Sequence, residues 1–113
     1  MSKGKRKTFQ KHFRKIRDSK HTGHPAYVYD EEGNKYKVIG ITSSPKTNGK
    51  DNIMLEVNPE PGNKKTAYAK PYPDKADKGA CTARLKNWTL ARQDKKKIDI
   101  IIQKDNRDSK KDK

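Results

Sequence analysis

The chain has 113 residues, 28% hydrophobic and 38% charged, with a formal net charge of +15 at pH 7 and one cysteine. That length fits one domain with a small core, and the single cysteine excludes an intramolecular disulfide framework and fits a reducing compartment. No run approaches the ~18 apolar residues that span a bilayer, and the N-terminus lacks the apolar stretch of a secretion signal, so a cytoplasmic protein that makes no use of a membrane is expected.

The charge is uneven. Residues 1–20 carry +8, residues 21–94 carry +3 and residues 95–113 carry +4. A nearly balanced centre with basic ends is expected to touch phosphates without reading sequence, which makes nucleic acid the first partner to consider.

Residues 1–8 read as a disordered arm. In Phe9-Gln10-Lys11-His12-Phe13-Arg14-Lys15-Ile16-Arg17 the apolar residues fall at i, i+4 and i+7, which predicts a short basic helix. Lys11, Arg14, Lys15 and Arg17 lie on its other faces, free to meet a phosphate backbone. Ser19 to Gly23 reads as a linker, so the basic arm takes residues 1–21.

A compact domain is expected over residues 22–104. Pro25 suits the first position of a strand, and Ala26 to Asp30 is rich in aromatic and branched residues. Glu31-Glu32-Gly33-Asn34 is turn material, and Lys35 to Thr42 forms the second arm of a hairpin. A polar loop follows over residues 43–52, with an Asn48-Gly49 turn signal at its tip. Third and fourth strands are predicted over Ile53–Val57 and Lys65–Lys70, closed by Pro71 and Pro73. Leu85 and Trp88 read as core anchors. A helix is predicted over Ala91–Lys104, with Asp94 in its first turn and Ile98, Ile101 and Ile102 on its apolar side. Residues 105–113 form a charged tail. Several short strands followed by one helix predict an α+β, mainly β fold: a small barrel-like sheet with a C-terminal helix and a short basic N-terminal one.

Three histidines occur, His12, His21 and His24, and they and a distant Cys81 fall short of a zinc ligand set, so neither metal nor cofactor is expected. His24 opens the first hairpin strand, and Thr42, Ser43 and Ser44 close the second. An imidazole that titrates near neutrality and a row of hydroxyls therefore meet at one end of a sheet. The hydroxyls serve either as turn chemistry or, with loop N–H groups, as phosphate ligands. Lys50 at the loop tip and Arg84 are further candidates to hold a phosphate. The five tyrosines either build the core or offer open faces on which bases stack.

The segments His24-Pro25-Ala26-Tyr27-Val28, Val38-Ile39-Gly40-Ile41-Thr42-Ser43, Ile53-Met54-Leu55 and Thr66-Ala67-Tyr68-Ala69-Lys70-Pro71 together resemble the PemK/MazF-like toxins. The likeness extends weakly through Leu85-Lys86-Asn87-Trp88-Thr89-Leu90 into the last helix and covers residues 24–102 in outline. It implies an SH3-like β-barrel, a homodimer, metal-independent cleavage of single-stranded RNA, and an acidic antitoxin as partner. The family's catalytic threonine falls on Thr42, and its active-site arginine falls on His24. The resemblance therefore implies an endoribonuclease toxin of a toxin–antitoxin system with His24 and Thr42 as catalytic residues. The alternative is a non-catalytic nucleic-acid-binding module on the same barrel, and a third reading is a protein-interaction module whose groove takes a peptide.

Overall fold

A computed structural model describes residues 9–17 and 22–111, with side chains placed for residues 9–17 and 23–105. The expectations for residues 1–8, for the linker up to His21 and for the last two residues lie outside the described residues.

The expected hairpin is the centre of the fold. Strands β2 (Thr22–Glu32) and β3 (Lys35–Thr42) pair antiparallel, with Ala26 opposite Gly40 and Val28 opposite Val38. Gly33 turns the chain at φ 62°, a conformation that costs glycine little. The register slips between Val28 and Asp30, a bulge that bends the long strand.

Both faces of this hairpin are apolar, and both are covered. Tyr27, Tyr29, Ile39 and Ile41 point to one side and pack with Leu55, Ala67, Ala69 and the helix residues Ile98 and Ile101. Ala26, Val28 and Val38 point to the other and pack with Ile16 and Ala76. Burial of each large apolar side chain contributes about 1.5–3 kcal/mol. Tyr27 and Tyr29 share a face as the strand period requires, and their rings are core; they offer no open face to a base.

The segment expected to be a basic helix is instead strand β1 (His12–Arg17), paired antiparallel with β2. The reason is the double core. Phe13 enters the first cluster and Ile16 the second, so a strand held between two apolar layers shows a spacing of three that imitates helical periodicity.

The outer edge of β3 pairs with two elements in succession. Its first half carries β8 (Asp74–Asp77), and its last two residues carry β7 (Tyr68–Ala69), which pairs in turn with β6 (Ile53–Met54). After β8 a single 3-10 turn (Lys78–Ala80) sends the chain to the outer edge of β1. There Thr82 N–H donates to the Lys15 carbonyl at 2.9 Å and Leu85 N–H to the Phe13 carbonyl at 2.8 Å, beside a bridge between Ile16 and Cys81. One stretch, residues 74–85, thus occupies the outer edges of both β1 and β3.

The third and fourth strands are shorter than expected: β6 ends at Met54 and β7 begins only at Tyr68, with single hydrogen bonds from Leu55 N–H to the Ala67 carbonyl and from Lys70 N–H to the Gly40 carbonyl extending the contact beyond them. The polar loop contains a small hairpin, β4 (Lys46–Thr47) and β5 (Lys50–Asp51), turned by Asn48 at φ 53° and Gly49 at φ 79°. The helix α1 spans Arg92–Lys111, so its last two turns use part of the expected charged tail. Asp94, Ile98 and Ile101 form its buried face. Among the described residues no helix is long and apolar enough to cross a membrane.

Candidate nucleic-acid interface

The β2–β3 ladder ends at the Ala26–Gly40 pair, and His24 and Thr42 lie two residues beyond it on their strands, at the end of the sheet away from the Gly33 turn. His24 pairs with Ile16 of β1, while Thr42 pairs with Tyr68 of β7. Four strands therefore fix the two positions that the sequence singles out. His24 is exposed and Thr42 half-buried.

Two clefts meet over this pair. The first, about 250 Å³, runs over Gly40 and is walled by Ser44, Lys70 and Tyr72. The second, about 180 Å³, is walled by Ser43, Asn63, Lys65 and Trp88. His24, Pro25, Ile41 and Thr42 bound both.

The hydroxyl of Thr42 accepts the Ser44 N–H at 3.1 Å, so the expected turn chemistry is present. A hydroxyl has one donor and two acceptor sites, and this bond uses an acceptor site only. Asn52 ties the β4–β5 hairpin to the same corner, donating to the Ser44 carbonyl at 3.0 Å and to the Thr47 hydroxyl at 2.8 Å. The wall of the second cleft is braced by its own amides. Asn58 donates to the Lys65 carbonyl, and the Asn63 side-chain oxygen accepts the Lys65 N–H, both at 2.9 Å.

A cation outside the sequence-based set lies in the first cleft. Lys70 N–H donates to the Gly40 carbonyl at 2.9 Å, and the Lys70 stem then crosses Gly40 so closely that a Cβ there would stand 3.0 Å from its Cδ. Glycine inside a strand often marks such a close approach, and Gly40 within Val38-Ile39-Gly40-Ile41 was the readable signal. Lys65, at the start of the predicted fourth strand, and Trp88, which reads as a core anchor, also line the second cleft outside the expected site residues. Trp88 is only half-buried.

The other expected phosphate ligands are dispersed. Arg17 lies beside the site: its Nε would be 3.8 Å from a Cβ at Gly23. Lys15 pairs with Pro25, and its N–H donates to the Thr82 hydroxyl at 3.1 Å. Arg14 is committed within the fold, donating to the Thr82 carbonyl at 2.7 Å and to His12 Nε2 at 2.8 Å while its guanidinium lies 5.0 Å from the Tyr36 ring centre. Lys50 is exposed in β5, opposite Thr47. Arg84 and Lys11 border a third, open cleft of about 590 Å³ with Phe9, His12, Trp88 and Lys95. His12 Nδ1 donates to the Gln10 carbonyl at 2.8 Å, so its Nε2 is the acceptor for Arg14. Burial holds this imidazole below the ordinary histidine value, reinforced by Arg84 and Arg14 and opposed by the bond to Gln10.

Comparison with protein-family models, curated proteins and solved structures returns no match for this chain.

Proposed function

We propose that the protein is a PemK/MazF-like endoribonuclease that binds single-stranded RNA at the His24–Thr42 end of its sheet and cuts it without metal. The observation that carries this reading is the convergence of His24, Thr42 and Lys70 on clefts that meet at one strand end. On the same reading the sheet is an SH3-like barrel, supported by the shared stretch 74–85 along the outer edges of β1 and β3.

The chemistry uses the RNA as its own nucleophile. His24 takes the proton of a ribose 2′-OH, the 2′ oxygen attacks phosphorus, and the bond to the 5′ oxygen breaks. The products are a 2′,3′-cyclic phosphate and a 5′-OH whose proton comes from solvent at this open site. Lys70 neutralises charge that builds on the pentavalent phosphate, and the Thr42 O–H donates to one of its oxygens.

Long single-stranded RNA incubated with the full chain in EDTA tests the reading. Cyclic phosphate ends are expected, with the rate falling by roughly 10²–10⁴ in His24→Ala. Absence of cleavage, or cleavage indifferent to His24 and Thr42, removes the enzymatic claim. The second reading is a non-catalytic RNA-binding module, in which the Thr42 hydroxyl serves the turn by accepting the Ser44 N–H and binds phosphate without chemistry. It expects binding with a steep salt dependence and intact RNA. The toxin reading also calls for an acidic antitoxin and a second copy of the chain. A small acidic protein encoded beside this gene supports the first, and sedimentation of the purified chain measures the second.

A further inference from the structure

The three clefts are neighbours that share wall residues. The first and second share the wall built by His24, Pro25, Ile41 and Thr42, and the second and third share Trp88. Cations recur along this path: Lys70 in the first cleft, Lys65 in the second, and Lys11, Arg84 and Lys95 in the third. The acids on its walls are Asp74 in the first cleft and Glu60 in the second. Lys11 also faces Asp99 at 3.9 Å, a solvent-exposed pair that holds neither partner firmly.

Trp88 is fixed in place. Its ring packs on Phe13 with centroids 5.6 Å apart, and the part that Phe13 leaves open bounds both clefts. A held aromatic between the cationic third cleft and a second cleft in which Lys65 stands with Glu60 suits a strand with unpaired bases. A base stacks on the indole while the phosphates on either side meet ammonium and guanidinium groups. A duplex keeps its bases stacked on one another, and an acidic peptide has no use for the platform.

We propose that the three clefts form one track for an extended single strand of RNA, in which a base rests on Trp88 and the phosphates beyond it meet Lys11, Arg84 and Lys95. This deepens the RNA reading above and rests on it. The contacts around His24 and Thr42 then set where the strand is cut, and the third cleft sets how much strand is needed for tight binding.

Trp88 is the only tryptophan in the chain, so its fluorescence reports the platform directly. The full chain is titrated with non-cleavable 2′-O-methyl oligouridylates from dinucleotide to dodecanucleotide, over a range of salt. Affinity is expected to rise with length, and Trp88 is expected to be quenched only by the longer strands. Because Trp88 touches the core, the fold-safe variant is the exposed pair Arg84→Glu with Lys95→Glu. It is expected to weaken the long strands about 10-fold or more and to lower the logarithmic salt slope by about 1.4, leaving the dinucleotide unchanged. Binding that ignores length, leaves Trp88 unquenched and tolerates the double variant overturns the track while the RNA reading stands. Absence of binding at every length overturns the RNA reading itself. Quenching by polyglutamate but not by oligonucleotide assigns the third cleft to a protein ligand and also overturns the proposal.

Discussion

The carboxylate of Asp94 accepts the backbone N–H of Glu56 at 2.7 Å, and its second oxygen accepts that of Val57 at 3.1 Å, with no part of the side chain exposed. The first turn of α1 thereby holds the chain where it leaves β6 for the loop that walls the second cleft. Asp94→Ala leaves the two N–H groups without this acceptor and is expected to cost roughly 2–4 kcal/mol. Urea denaturation measures it. Asp94→Asn, which keeps one acceptor, is expected to lose less.

Gly40→Ala tests the cation in the first cleft. The new Cβ would meet the Lys70 stem at 3.0 Å, and a flexible side chain yields more readily than backbone. Stability is expected to change by less than about 1.5 kcal/mol, whereas RNA affinity or cleavage falls several-fold. Equal loss in Lys70→Met assigns the effect to the displaced ammonium.

His12 gives the fold a dependence on mild acid. Its folded-state affinity for a proton lies below the ordinary value near 6.5, so the unfolded chain binds more protons than the native one. Its stabilisation is complete above that value and declines as pH falls through it. Urea midpoints between about pH 8 and pH 5 are expected to drop, and His12→Gln is expected to flatten that part of the profile.

At the alkaline end the sign is reversed by two phenols. Burial, with Asp99, pushes Tyr27 up to about 12, and burial with Asp105 and Asp30 raises Tyr29 as well. The native state keeps its phenolic protons longer than the unfolded chain, so stability is expected to fall as pH rises above the ordinary value of 10. Absorbance at the phenolate band is expected to show the core tyrosines titrating only with unfolding.

Ile98→Ala probes the seating of α1. Ile98 is fully buried among residues of the first cluster, and truncation is expected to cost about 2–5 kcal/mol by thermal or urea denaturation.

The β2–β3 hairpin was legible because Tyr27 and Tyr29 alternate with Val28 between turn residues, and the placing of His24 and Thr42 on the walls of the same clefts followed from it. β1 was not, since a strand between two apolar layers loses its alternation. Nor was β8: in Asp74-Lys75-Ala76-Asp77 only Ala76 is apolar, and the strand is recruited by the backbone edge of β3, which has no side-chain signature. Lys70 escaped for a related reason. Its place in the site depends on a cross-strand approach to Gly40, thirty positions away, and the glycine inside Val38-Ile39-Gly40-Ile41 marks that a neighbour comes close without saying which one.

The pairing of β1 with residues 81–85 also sets an order of events at the ribosome. Lys15 meets Thr82 across a separation of 67 residues, so the outer edge of β1 stays unsatisfied until most of the chain has been made. Phe13 gains the cover of α1 later still. Contacts of such span slow folding, because a long loop must close before they form. A nascent chain therefore presents its most cationic stretch, before any groove exists, to the RNA-rich surroundings in which it is synthesised.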